Sequence, residues 1–148
     1  HTGFSADLSR ETLDCTTLGQ LHVAARINLE RALCLGDSLG GHLVTGHVDG
    51  VGVVRTVHAD ADSLRISIEV PAALARYIAR KGSVCVDGVS LTVNLVNDRV
   101  FEVTIVPHTQ AETVISSYAT GTRVNIEVDM IARYLERIVQ YTGHKDDG

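Results

Sequence analysis

Apolar and polar residues alternate with a period of two along much of this chain. Leu64-Arg65-Ile66-Ser67-Ile68-Glu69-Val70 alternates strictly, as a strand with one buried face does, and the Val-rich stretch Leu43 to Val57 carries interleaved Gly, Thr and His. Further strands are predicted at 83–86, 89–96, 99–106 and 123–128. Asp87-Gly88 and Asn97-Asp98 supply two-residue turns of the kind whose positive φ closes a tight hairpin. Between the second and third strands, Pro71 opens a helical stretch that runs through Ala72 to Arg80 and stops at Lys81-Gly82, proline being suited to the first helical position. Six short strands and one small helix within residues 41–130 predict an all-β domain, a six-stranded Greek-key antiparallel barrel, since closure removes exposed strand edges.

The period then changes. Met130, Tyr134, Leu135, Ile138 and Tyr141 share one stripe of a C-terminal α-helix predicted over 131–142, opposite Arg133, Glu136, Arg137 and Gln140. A helix of roughly a dozen residues is marginal alone. Its stripe therefore needs a partner, either its own barrel or the equivalent helix of other subunits.

The chain also repeats itself. A shift of 97 positions, without a gap, sets Phe4 on Phe101, Thr12 on Thr109, Thr16 on Thr113, Arg26 on Arg123, Asn28 on Asn125 and Glu30 on Glu127. Leu8, Leu18, Ile27 and Leu29 fall on Ile105, Ile115, Val124 and Ile126, so the apolar phase is kept. Residues 1–33 accordingly read as the closing strands of an incomplete first barrel, and 41–130 as a complete second one. The counterpart of Lys81 to Asn94 would precede residue 1. The first residue is His rather than Met, which reads as a processed or truncated chain.

Composition narrows the function classes. No apolar run approaches the ~20 residues of a membrane-spanning helix. A net charge of −5 with only 4% aromatic residues opposes phosphate binding and base stacking, so neither nucleic acid nor membrane is an expected partner. Cys15, Cys34 and Cys85 are widely spaced and odd in number, suggesting neither a disulfide framework nor a zinc site. With no secretory signal visible at the N-terminus, a reducing cytoplasm fits.

Two stretches concentrate polar chemistry. Gly40-Gly41-His42-Leu43-Val44-Thr45-Gly46-His47-Val48-Asp49-Gly50 places two histidines five apart on a predicted strand, on opposite faces unless a bulge at Gly46 intervenes, which argues against a metal pair. In Lys81-Gly82-Ser83-Val84-Cys85-Val86-Asp87-Gly88-Val89-Ser90-Leu91-Thr92-Val93-Asn94, the hydroxyls of Ser90 and Thr92 share one strand face and suit a polar heterocycle. Val106-Pro107-His108-Thr109 ends a strand, and its proline frees neighbouring backbone groups. Each stretch also reads as ordinary turn or barrel-corner chemistry.

These motifs, with the tandem repeat and the twin Val/Ile-Asn-Ile/Leu-Glu segments at 27–30 and 124–127, resemble the riboflavin synthases, built from two similar lumazine-binding barrels and a C-terminal helix. The resemblance covers essentially the whole chain; the family's opening half of the first barrel has no counterpart. It implies dismutation of two 6,7-dimethyl-8-ribityllumazine molecules into riboflavin and 5-amino-6-ribitylamino-uracil, with no metal or redox cofactor. It places Gly46, His47 and Val48 beside the ring, together with Lys81, Ser90, Leu91, Thr92 and the turn Val106, Pro107, His108, Thr109, Gln110 and Ala111. In the first-barrel segment it matches Asp7, Leu8, Ser9, Arg10, Glu11 and Thr12. His42, His47, Ser90 and Asp87 are the expected catalytic groups, imidazole being suited to relaying a proton near neutral pH. The resemblance further implies a homotrimer joined by C-terminal helices, with each site shared between unlike barrels of two subunits, and suggests lumazine synthase as a partner. Two other readings stand beside the enzyme. One is a lumazine- or flavin-binding antenna protein without turnover; the other is a self-association module.

Overall fold

The computed structural model describes residues 3–143; His1 and Thr2 of the expected segment 1–33 lie outside that range. The alternating segments form six strands: β1 (Gly50–Asp60), β2 (Ser63–Glu69), β3 (Ser83–Val86), β4 (Val89–Asn97), β5 (Val100–Ile105) and β6 (Arg123–Val128). All pair antiparallel in the closed order β1-β2-β5-β4-β3-β6, so every edge is satisfied. The β3–β4 hairpin turns on Asp87 (φ +45°) and Gly88 (φ +81°), both left-handed as a type I′ turn requires. The β4–β5 turn comes one residue later than predicted, with Asn97 paired to Val100 and Asp98 at φ +51°.

Phe101, Val103 and Ile105 of β5 face inward with Ile66, Ile68, Val84, Val86, Val93, Val124 and Ile126, each at most 1% exposed. At ~1.5–3 kcal/mol per buried side chain, this aliphatic interior is the main support of the barrel. Gly52 lies where the wall is tight: a Cβ there would sit 3.0 Å from Ile68 Cγ2 and 3.1 Å from Ile126 Cγ1.

Four expectations are corrected. The strand predicted from Leu43 begins only at Gly50, and 40–49 is a loop. Gly46 at φ +78° breaks the extended run, and side chains from elsewhere hold the segment. Second, the helix after Pro71 narrows to α2 (Ala72–Ala75), because closures from Tyr77 N to Leu74 O and Ile78 N to Ala75 O tighten the chain and turn Leu74 and Ile78 into the core. Third, Val106-Pro107 ends β5, but instead of leaving an open turn it starts α3 (Pro107–Glu112), with proline at the first helical position.

Fourth, the segment expected to supply closing strands forms none among its described residues. It contains α1 (Arg10–Cys15) and a 3-10 turn, Leu18–Gln20. Residues 27–30 join no sheet, since the closed barrel offers no free edge to receive them. The repeat is nevertheless physical, because α1 and α3 coincide under the 97-residue shift. Thr16 Oγ1 donates to Thr12 O at 2.6 Å as Thr113 Oγ1 does to Thr109 O at 2.6 Å. The same two hydroxyls accept from Leu18 N and Ile115 N.

The C-terminal helix, α4 (Met130–Gly143), meets the barrel through its polar side. Arg133 pairs with Asp49 at 2.8 Å, and Glu136 accepts from Tyr77 and pairs with Arg76 at 2.8 Å. Of its apolar stripe, Met130 is half-buried, whereas Tyr134, Leu135, Ile138 and Tyr141 are exposed, as is Ile131.

Candidate functional site

The loop 40–49 and the outward side of β4 form one cluster. In β4 the pleat sends Leu91 and Val93 into the core and leaves Ser90 and Thr92 on the outside. Ser90 Oγ accepts from His42 N at 3.1 Å and lies 2.7 Å from His42 Nδ1. His42 Nε2 is buried with no hydrogen-bonding partner among the described residues. Close approach of the two segments requires glycine at 41, whose Cβ would fall 2.6 Å from Ser90 Cβ. His42 and His47 lie on a loop, so strand parity does not govern where they point.

His47 sits on the same loop, with Nδ1 at 3.1 Å from Thr45 Oγ1. A buried carboxylate fixes this turn. Glu127 accepts from Thr45 N at 2.9 Å, Thr45 Oγ1 at 2.8 Å and Gly46 N at 3.0 Å, and is only 5% exposed. From the other side Arg133 donates to His47 O at 2.8 Å as well as to Asp49. Asp49 in turn accepts from Val128 N. Gly46 and His47 are thus held by anchors on β6 and α4, and Val48 lies between His47 and the equally anchored Asp49.

Asp87 occupies the β3–β4 turn, and its carboxylate accepts from Tyr118 Oη at 2.5 Å and Asn125 N at 2.7 Å. Burial pushes its pKa above the ordinary carboxylate value, with the hydrogen bonds from Tyr118 and Asn125 pulling the other way. Burial and the neighbouring Asp87 charge push the Tyr118 phenol up. Asp87, Gly88 and Val48 also line a groove of about 840 Å³ between the barrel and residues 17–28. The expected ring-binding residues Lys81, Ser90, Thr92 and 106–111 are not in that groove's lining.

Lys81 is exposed at φ +67°, its N–H bonded to Val93 O at 2.8 Å. Thr92 is exposed opposite Ser83. Leu91 was expected at the ligand, but its side chain is core, 9% exposed, because its neighbours Ser90 and Thr92 take the outer face. At α3, the capping residue Val106 and the helical Pro107, His108 and Ala111 are exposed, while Gln110 is committed to Ile105 O and Asp62 O. In the α1 region Ser9 caps the helix through Thr12 N at 3.1 Å, Arg10 pairs with Asp14, and Glu11 accepts from Cys15 Sγ. Asp7 and Leu8 are exposed. The hydrogen bonds and ion pair given for residues 9–12 are local to α1, and none links residues 7–12 to β4 or to the loop 40–49 among the described residues.

Sequence reading missed Glu127, Arg133 and Tyr118 as site-shaping residues. Glu127 was visible only as the mate of Glu30 in the repeat. Among the described residues no group of three His, Cys, Asp or Glu could hold a metal ion.

Residues 45–129 match the family model described as Lumazine binding domain. The chain is 42% identical over 146 residues to the riboflavin synthase of Photobacterium leiognathi, covering 99% of this chain and 67% of that protein. It is 46% identical over 143 residues to that of Mycobacterium tuberculosis (strain ATCC 25618 / H37Rv), covering 95% and 71%. Among solved structures it is similar to LumP complexed with riboflavin, with a TM-score of 0.74 and 25% identity over 80% of this chain and 64% of that one. A closed barrel carrying the matched loop, the hydroxyl-bearing strand and the twin helical turns, together with this degree of identity, means that the chain belongs to the riboflavin synthase family.

Proposed function

We propose that this chain takes part in the riboflavin synthase reaction, in which one 6,7-dimethyl-8-ribityllumazine donates a four-carbon unit to a second, yielding riboflavin and 5-amino-6-ribitylamino-uracil. The observation that carries the reading is the placement of Ser90 and Thr92 on the outside of β4, with Ser90 bonded to His42 and the loop 45–47 anchored by Glu127. Outward hydroxyls beside a fixed loop suit a flat, polar heterocycle lying against the barrel. Backbone groups of 46–48 and 106–111, with Lys81, complete the surface around it. His42 or His47 relays the proton lost from a ring methyl, and Asp87 holds the hairpin that carries Ser90.

Holding two lumazines face to face supplies much of the rate, up to ~7–11 kcal/mol in favourable cases. The second lumazine belongs to a first barrel, whose closing part is residues 1–33 with Asp7 to Thr12. The coincidence of α1 with α3 supports that assignment. The site is shared between subunits of a homotrimer, with the exposed residues of α4 as its contact; the absence of a polar link from residues 7–12 to β4 among the described residues supports this arrangement. Lumazine synthase is a further partner of the same biosynthetic chemistry. A cytoplasmic place goes with this biosynthetic reaction; no helix among the described residues is long and apolar enough to cross a membrane.

Incubation with dimethylribityllumazine, with riboflavin and the pyrimidine followed chromatographically, tests the reading. Product in equal amounts supports it. Saturable fluorescence titration without product supports the antenna reading instead, and neither binding nor product overturns both. Changing Ser90 and Thr92 together to Val is expected to weaken binding by a few kcal/mol at most.

A further inference from the structure

The chain Glu127–Thr45–His47 assigns protons as well as positions. Thr45 Oγ1 lies 2.8 Å from Glu127 Oε1 and 3.1 Å from His47 Nδ1. A hydroxyl has one hydrogen to give, and an ionised carboxylate can only accept. If the hydroxyl hydrogen pointed at His47, two oxygen lone pairs would face each other across 2.8 Å at a residue 5% exposed. The hydrogen therefore goes to Glu127, and Thr45 Oγ1 turns a lone pair toward His47, which must donate from Nδ1. Thr45 has no freedom to escape this. Its backbone N–H is bound by the same carboxylate oxygen, and Gly46 N–H by the other. Arg133 pins His47 from behind through its carbonyl.

We infer that Glu127 is a positioning residue which, through the Thr45 hydroxyl, holds neutral His47 in the Nδ1–H form and leaves Nε2 as its basic nitrogen. An imidazole on a flexible loop would exchange between both forms, and water favours the Nε2–H form, in which Nε2 cannot accept a proton. Fixing the tautomer through the hydrogen bond made by the other ring nitrogen is a general way of committing a histidine to one role. His47 is exposed, so its Nε2 is accessible to a ligand lying against the loop. The inference rests on the proposed function only for the use made of that nitrogen; the tautomer itself follows from the hydrogen-bond chain.

The two are separable by experiment. Long-range ¹H–¹⁵N correlation spectra of the full chain, with His47 assigned by comparison with His47→Gln, report which nitrogen carries the proton in the neutral ring. The wild-type spectrum is expected to show Nδ1–H dominant. Thr45→Val keeps the shape of an exposed residue and removes the hydroxyl, so it is expected to move His47 to the Nε2–H form without melting the barrel. Glu127→Gln is expected to do so in part. In the turnover assay Thr45→Val is expected to lower kcat tenfold or more, with KM for the lumazine little changed. A wild-type ring that is mainly Nε2–H, or a tautomer unmoved in Thr45→Val, overturns the inference. A tautomer that moves while kcat does not leaves the proton assignment standing and removes His47 from the proposed reaction.

Discussion

Asn28 and Asn125, partners under the 97-residue shift, each cap the helical turn that belongs to the other's repeat. Asn125 Oδ1 accepts from Thr17 N at 2.7 Å, and Asn28 Oδ1 accepts from Val114 N at 2.8 Å. Thr17 and Val114 are themselves related by that shift. The exchange is isologous, the geometry expected of two like units facing each other across a two-fold axis, here written within one chain. It is also what ties residues 17–28 to the barrel, because Asn28 Nδ2 additionally donates to Asp87 O at 2.8 Å.

Asn28→Ala should therefore release the N-terminal segment while sparing the barrel. Val114 N and Asp87 O would lose a side-chain partner, worth ~1–3 kcal/mol if they stay dry. Trypsin cleavage after Arg26 and Arg31 should accelerate several-fold; release of the segment lets water reach Val114 N and Asp87 O, so the thermal midpoint of the barrel should change little. Equal cleavage rates in variant and wild type would mean that the segment is held by something other than this exchange.

Asp87 gives a pH dependence with a definite sign. Its folded pKa lies above its unfolded value, with burial as the largest cause, so the folded state holds a proton that the unfolded state has already released. Stability from this group is fully present below the unfolded value of 3.8 and is lost as pH rises through the folded pKa. Asp87→Asn keeps an acceptor for Asn125 N and removes the titration. The stability of wild type relative to Asp87→Asn should thus fall as pH rises above 3.8, read from urea midpoints along a pH series. A relative stability that rises along that series would show that the bonds from Tyr118 and Asn125 outweigh burial.

How much of this was readable in advance depends on the range of the forces involved. The strand phase of Ile66 and Ile68, or of Phe101, Val103 and Ile105, is local, and so is the Asp87-Gly88 turn; both appear where the alternation puts them. The loop 40–49 does not, because what holds it comes from far along the chain: Glu127 on β6 and Arg133 on α4. Pro107 is ambiguous by itself, since the same residue that ends a strand opens a helix. The orientation of α4 is likewise hidden. Amphipathicity gives two faces, and only the tertiary neighbours Asp49, Arg76 and Tyr77 show that the polar one grips the barrel. Ser90 and Thr92 were legible as a pair by parity, whereas the bond from Ser90 to His42 was not.

The three thiols should separate cleanly in a labelling experiment. Cys34 is exposed, whereas Cys85 is buried on β3 with its pKa pushed up to about 12 by desolvation, so almost none of it is thiolate at neutral pH. Cys15 is raised as well, first by its hydrogen bond to Glu11. An aromatic disulfide reagent added to folded protein is expected to modify Cys34 first and Cys15 more slowly. Cys85 should react only in denaturant. Rapid reaction of Cys85 in the native state would mean that the β3–β6 seam opens on the labelling timescale.

The last prediction concerns α4, which presents Leu135 (60% exposed) and Ile138 (59%) to solvent while Arg133 and Glu136 fasten it to the barrel. Its polar contacts fix the helix on the surface, and its apolar stripe, with Ile131 and Tyr134 alongside, forms a patch of the sort that marks a contact between proteins. Each large aliphatic side chain covered at such a contact contributes ~1.5–3 kcal/mol. Placing a charge there removes that gain and adds the cost of burying the charge. Leu135→Glu combined with Ile138→Glu is therefore expected to lower the sedimenting mass to that of a single chain and leave the barrel's unfolding midpoint nearly unchanged, because neither side chain belongs to its core. An unchanged mass would remove the stripe from the subunit contact. A lowered midpoint at unchanged mass would place these side chains against their own barrel.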